Sequence, residues 1–192
     1  RLKSAEGSKT LQFLEFKYHV FDELSNETYL GISERDFNTN PFNRYAASQE
    51  DNMDARQVQL MLTHSISLSE QFKIVTNLYD NTFSRNWYKL SGVVVDDSKK
   101  GLETVLAVPS SYPNHFSVLK GLADSDDDAL FVKANNRVYT SRGVQTKLDY
   151  HWYGKSGIFH DLEIGARFHY DEEDRFQWED GYRIQNADML LT

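Results

Sequence analysis

Between Val144 and Tyr170 the sequence alternates, residue by residue, between apolar and polar side chains. The even positions read Val144, Thr146, Leu148, Tyr150 and Trp152, against Gln145, Lys147, Asp149 and His151. After a turn at Gly154-Lys155-Ser156-Gly157 the pattern resumes, with Leu162, Ile164, Ala166, Phe168 and Tyr170 against Glu163, Gly165, Arg167 and His169. A period of two specifies extended strands, because successive side chains of a pleated strand point to opposite faces. Two such runs joined by a short glycine-containing loop form a β-hairpin. The sheet that contains it has an apolar face ending in aromatics and a face charged along its whole length.

Three further runs carry the same signature, giving expected strands at 11–21, 55–68, 72–87, 142–153 and 160–171. In the first, Leu14, Phe16, Tyr18 and Val20 oppose Glu15, Lys17 and His19. In the second, Val58, Leu60, Leu62 and Ile66 oppose Gln57, Gln59, Thr63 and Ser65, and His64 keeps the apolar parity. The third is ambiguous, since Phe72, Ile74 and Leu78 compete with Val75, Tyr79 and Phe83. The connections alternate in length: long segments at 22–54, 90–140 and 172–192, short turns at 69–71 and 154–158. Within the long ones, Ser33-Glu34-Arg35-Asp36 reads as a capped helix start that Pro41 stops, and a short helix is expected around Phe116 to Leu122.

An up-and-down antiparallel sheet with this connectivity places every long loop on one rim and every short turn on the other, as outer-membrane barrels do. The expected strands also exceed the five or six residues usual in soluble sheets. The expected fold is therefore all-β: residues 1–192 as one arc of a large transmembrane β-barrel, its long outer loops containing short helices. Five strands cannot close a barrel, so the arc would be a piece of a longer wall. The alternative is a soluble β-sandwich, such as a carbohydrate-binding module, with the apolar face packed on a second sheet. A mean hydropathy of −0.62 and no apolar run near 18 residues exclude a transmembrane helix, not a barrel. There are no cysteines, and a net charge of −8 argues against nucleic acid as a partner.

Several spaced segments resemble the barrel of TonB-dependent outer-membrane receptors, closest to the ferric-citrate branch. They are Asn40-Pro41-Phe42-Asn43-Arg44-Tyr45-Ala46-Ala47-Ser48, Asp51-Asn52-Met53-Asp54, Phe83-Ser84-Arg85-Asn86-Trp87-Tyr88-Lys89-Leu90 and Asp171-Glu172-Glu173-Asp174-Arg175-Phe176-Gln177-Trp178. Val118-Leu119-Lys120-Gly121, Asp128-Ala129-Leu130 and Asn135-Asn136-Arg137 fit the same group, so the resemblance runs from Tyr29 to Trp178. It implies a 22-stranded barrel in the outer membrane of a Gram-negative bacterium, filled by an N-terminal plug that this sequence lacks. It also implies uptake of a ferric chelate, citrate or siderophore, driven through the plug by the inner-membrane TonB complex.

An anionic chelate calls for fixed positive charge and planar donors, the chemistry of arginine. Arg44, Arg85 and Arg175 lie in the motif segments of the long-loop rim, Tyr45 and Trp87 are aromatic neighbours for a binding wall, and Arg167 and His169 are expected on the lumen face. Lys147, Asp149, Glu163 and Arg167 are expected to form a charge ladder across the hairpin. The Asp171–Arg175 run reads as a solvated strand end, and Asp124-Ser125-Asp126-Asp127-Asp128 as an acidic loop, since the EF-hand glycine and glutamate positions hold Ala129 and Asn135. Gly154-Lys155-Ser156 is a turn and not a P-loop, because the upstream glycine position is Asp149. The histidines have no zinc-site spacing, and no nucleophile elbow or acid–base set marks an enzyme; no cofactor is expected.

Overall fold

The computed structural model describes residues 1–192. It is all-β, with 60% of residues in strands and 14% in helices, arranged as one open antiparallel up-and-down sheet of eight strands. The strands are β1 (Leu2–Lys3), β2 (Leu11–Ser25), β3 (Asn52–Ser67), β4 (Phe72–Val95), β5 (Ser98–Lys100), β6 (Leu130–Tyr153), β7 (Phe159–Gln185) and β8 (Asp188–Leu191). Their order is β1-β2-β3-β4-β6-β7-β8, with β5 hairpinned onto β4 through Asp96-Asp97. Both turn residues have positive φ, as does the Asn186-Ala187 pair of the β7–β8 hairpin, the twist that tight two-residue turns require.

All five expected strands are longer than the alternation indicates, β3 by beginning at Asn52. β2 extends to Ser25, β4 to Val95, β6 begins at Leu130 and β7 runs to Gln185. The segments expected as loops at 22–54 and 90–140 shrink to 26–51 and 96–129, and 172–192 is strand, turn and strand. The physical reason is loss of contrast between faces. Val93-Val94-Val95 and Leu130-Phe131-Val132 are apolar on both parities, whereas Glu172-Glu173-Asp174-Arg175 is polar on both, so period two vanishes while the backbone ladder continues. The Asp171–Arg175 run is consequently mid-strand, not a strand end.

The chain divides into two compact units, Arg1–Asp22 with Arg56–Ser84 and Val138–Asp174, and Glu23–Ala55 with Arg85–Arg137 and Arg175–Thr192. In the first unit the ambiguity of β4 resolves. Phe72 meets Tyr150, Thr76 Oγ1 lies 3.1 Å from Thr146 Oγ1 and Asp80 pairs with Arg142 at 3.5 Å, so the even positions share a face. Gln12 with His64, Asp22 with Arg56, and Trp152 with His160 continue that even face across β2, β3, β6 and β7. Odd positions pair on the other side, Thr63 with Asn77, Gln57 with Asn81, Phe83 with Tyr139 and Lys147 with Glu163.

No residue of this unit is buried. The even face lies bare, with Phe16 63%, Ile164 56% and Phe168 74% exposed, and no second sheet covers it as a sandwich would require. On the odd face Lys147 joins Asp149 and Glu163, but Arg167 leaves the expected ladder and donates to Tyr79 Oη at 3.1 Å. Asp171 can only accept, so His169 Nε2 donates to it (2.5 Å) and Nδ1 accepts from the Tyr79 hydroxyl (2.5 Å). Gly143 permits this chain of bonds, because a Cβ there would lie 2.6 Å from Tyr79 Oη.

The second unit contains every buried residue of the protein. Leu90 and Val93 of β4, Leu130 and Val132 of β6, Tyr182 and Ile184 of β7 and Met189 of β8 join Val105, Val118 and Leu119 from two short helices. These helices are α2 (Leu102–Ala107) and α3 (Pro113–Lys120); α1 (Glu34–Thr39) starts on the Ser33 cap and ends before Pro41. α3 starts and stops a little earlier than expected, because Pro113 opens it and Gly121 closes it in the left-handed region. Gly121 is required twice over: its φ is +75°, and a Cβ would lie 2.6 Å from that of Ala46. Leu130→Ala or Leu119→Ala should destabilise the protein by about 2–5 kcal/mol through the cavity left. Phe42→Ala, at a position 92% exposed, should change stability by less than about 0.5 kcal/mol. Guanidinium unfolding followed by tryptophan fluorescence measures both.

Candidate ligand site

Within the second unit the odd positions of β4 read Arg85, Trp87 and Lys89 at a spacing of two, which puts three binding-competent side chains on one strand face. Tyr29, from the connection between β2 and β3, stacks on Trp87 with ring centroids 4.3 Å apart and planes at 26°. Lys89 Nζ lies 3.5 Å from the Tyr29 centroid and 4.9 Å from that of Trp87, and the Arg85 guanidinium lies 5.9 Å from Trp87. These cations face aromatic rings, not carboxylates. Burial lowers the Lys89 pKa, and the positive charges of Arg85 and Lys133 lower it further, against a raising influence from Asp51. The group is electropositive and only partly compensated. A cleft of about 500 Å³ adjoins it, lined by Tyr29, Lys89, Leu90, Leu102, Glu103 and Thr104 among others.

Asp51 positions Tyr29. Its carboxylate is buried and accepts from the Thr28 hydroxyl at 2.5 Å and the Leu90 amide at 2.6 Å, tying the connection to β4 one residue before Tyr29. Burial raises the Asp51 pKa, and those two hydrogen bonds oppose the rise. Arg44 fastens the same connection, donating to the Asn26 carbonyl (3.1 Å), the Ser48 carbonyl (2.9 Å) and Ser48 Oγ (3.2 Å).

Tyr45 is 3% exposed and closed into the core, so it walls no open surface. Its hydroxyl donates to Asp36 Oδ2 (2.6 Å) and accepts from the Ser33 amide (2.9 Å), while Lys120 reaches Asp36 at 2.8 Å. Lys120 and Tyr45 hold the Asp36 carboxyl below its ordinary range, and burial raises the Tyr45 phenol. Arg175 bonds its neighbour Gln177 at 2.8 Å, and Gln177 crosses to Asn135 on β6 at 2.5 Å. Arg167 and His169 belong to the Tyr79 network of the first unit.

Of the residues expected at a site, the structure therefore brings Arg85 and Trp87 together, and adds Tyr29 and Lys89. The alternation Arg85, Trp87, Lys89 carries a signal for Lys89, but the expected strand stops at Trp87 and leaves it out. Tyr29 carries no such signal, since a tertiary bond places it. The acidic segment is used structurally: Asp124 accepts from the Asn186 amide (2.7 Å), Asp127 pairs with Arg183 (2.7 Å) and Asp128 accepts from Thr192 (2.6 Å).

No family model matches this chain, and no curated protein matches it in sequence. The Asp36 cluster makes a pH prediction. A carboxyl whose pKa is depressed on folding stabilises above its ordinary pKa of 3.8 and loses that contribution as pH falls through the lower folded value. Asp36→Asn should therefore be less stable than wild type at pH 7. The difference should shrink progressively below pH about 4 when unfolding is measured across pH.

Proposed function

We propose that this chain is part of the wall of an outer-membrane β-barrel receptor for an anionic ferric chelate, its even-numbered face toward lipid and its odd-numbered face toward the lumen. The observation that carries the reading is the first unit's bare apolar face, on a single sheet layer with no buried residue. Apolar side chains left open in water would cost about 25 cal/mol per Å² relative to burial, and acyl chains remove that cost without any covering protein.

The dimensions support it. On β6 the even face runs from Arg142, ion-paired with Asp80, to Trp152, stacked on His160. Ten residue steps at about 3.3 Å, tilted by about 40°, span a band near 25 Å. Phe72, Tyr150 and Trp152 then cluster on the even face at the short-turn end, as an interfacial aromatic girdle does. The connections at 26–51 and 96–129 would form the outer loops, and the turns at 68–71 and 154–158 the periplasmic ones. The ferric chelate, the plug and the TonB complex come from the resemblance to TonB-dependent receptors, and the cations at Arg85 and Lys89 supply charge that suits an anionic cargo. The chain's role in this reading is binding and transport, not catalysis.

Arginine substitution by face tests the wall. Leu148→Arg and Ile164→Arg should each cost about 2–4 kcal/mol in assembly of the protein into bilayers, whereas Gln59→Arg and Gln145→Arg should cost little. Equal tolerance on both faces would contradict the proposal. Folding into vesicles under denaturant titration provides the measurement.

A further inference from the structure

We infer that the even-numbered face of β4, β6 and β7 in the second unit binds a neutral oligosaccharide, with Phe176 and Trp178 as its stacking platform and Asn86, Asn136 and Asp180 as its polar contacts. These residues lie on the opposite strand face from Arg85, Trp87 and Lys89, because neighbouring positions of a strand point to opposite sides. The site does not depend on the chain being a barrel wall.

Strand register brings the residues together. Gln177 of β7 bonds Asn135 of β6, which sets Trp178 beside Ala134 and Phe176 beside Asn136. Between β4 and β6, Phe83 stacks on Tyr139 and Ser91 Oγ donates to the Phe131 carbonyl, and the same register sets Asn86 opposite Asn136. Ala134 is fully buried, and across its small side chain the Tyr88 hydroxyl donates to Asp180 Oδ2 at 2.6 Å. Trp178 Nε1 donates to the same oxygen at 3.0 Å. The indole is thereby held in place, and Asp180 Oδ1 keeps its acceptor capacity.

Two requirements on this face are unmet at once. Phe176 and Trp178 are 67% and 40% exposed, side by side with ring centroids 5.5 Å apart and planes at 44°. Asn86 Oδ1 and Asn136 Nδ2, an acceptor and a donor on facing strands, are shut from solvent and bond nothing. Orphaned amide atoms of this kind are rare in folded proteins. Acyl chains would cover the rings and leave the amides and the carboxylate unpaired, at a cost. Water leaves the rings bare and does not reach the two amide atoms. A pyranose ring answers both needs, since its C–H face packs on an aromatic ring while its hydroxyls donate and accept. Rotation of either amide about its Cβ–Cγ bond turns an orphan atom toward those hydroxyls. The one charged side chain of the set is a carboxylate, which repels anionic sugars and admits neutral ones. The tilt between the two rings suits successive units of a twisted single chain and not a flat crystalline surface.

Four neutral hexasaccharides serve as probes, β-linked chains of glucose, mannose, xylose and N-acetylglucosamine, with hexagalacturonate as the anionic control. They are titrated calorimetrically against the full chain in phosphatidylcholine vesicles, or in buffer if it does not insert, with no glycosidic detergent present. At least one neutral chain should bind, and hexagalacturonate should bind at least about tenfold more weakly. Phe176→Ala and Trp178→Ala should each weaken the binding about tenfold, and Phe176→Tyr should restore most of the loss. Phe42→Ala, exposed elsewhere in the unit, should change nothing. Circular dichroism of each variant establishes that it folds. Binding of none of the four, preference for the anionic chain, or binding indifferent to both ring truncations would overturn the inference. So would lipid on the site, read as quenching of Trp178 by brominated acyl chains in a Trp87→Phe, Trp152→Phe background. The sugar titrations leave the wall proposal untouched, and failure of the chain to enter bilayers counts against that proposal alone.

Discussion

An apolar sheet face is costly to leave in water, and the two units of this protein differ in how they treat one along the same strands. In the second unit α2 and α3 cover β4, β6 and β7, and Leu90, Leu130, Val132 and Ile184 are sealed. In the first unit the even face of Phe16, Leu60, Leu78, Ile164 and Phe168 has no protein on it. The burial that stabilises a domain core, roughly 1.5–3 kcal/mol per large side chain, is available there only from something outside the chain. For a barrel wall that something is lipid.

The opposite face obeys a different rule. Polar and charged side chains in a sheet stay low in energy when they bond one another, and the first unit does this almost throughout. Arg167, Tyr79, His169 and Asp171 form a directed chain of donors and acceptors, Lys147 joins two carboxylates, and His151 lies 3.0 Å from Asp161. Such saturation leaves little to offer a ligand. Arg85 and Lys89 differ, because their partners are ring faces, and burial beside like charge lowers the pKa of Lys89. That contrast sets the β4 face of the second unit apart from the bonded network of the first.

The hairpin from Val144 to Tyr170 is legible in the sequence because one face is apolar and the other charged along its full length. Residues 130–141 are not, because Leu130, Phe131 and Val132 are apolar on consecutive positions and a period of two disappears. β4 reads ambiguously for a related reason: its odd face carries Val75 and two aromatics, Tyr79 in a polar network and Phe83 in a stack with Tyr139. Among the arginines, sequence position does not separate Arg44, whose donors are spent on backbone and Ser48, from Arg85, whose guanidinium lies against a ring. Tyr45 reads as surface because its segment is polar, yet its hydrogen bonds to buried Ser33 and half-buried Asp36, which Lys120 also pairs, draw it inside.

The absence of cysteine makes the two-faced sheet open to direct measurement, since each single-cysteine variant carries one label and no background. Nitroxides placed in turn at 144 through 150 and 162 through 170, with the protein in lipid vesicles, report collision with oxygen dissolved in the acyl layer and with a water-soluble nickel chelate. A wall between lipid and lumen predicts a period of two: oxygen access at even positions, deepest midway between Arg142 and Trp152, and nickel access at odd ones. Uniform nickel access at both parities would contradict it.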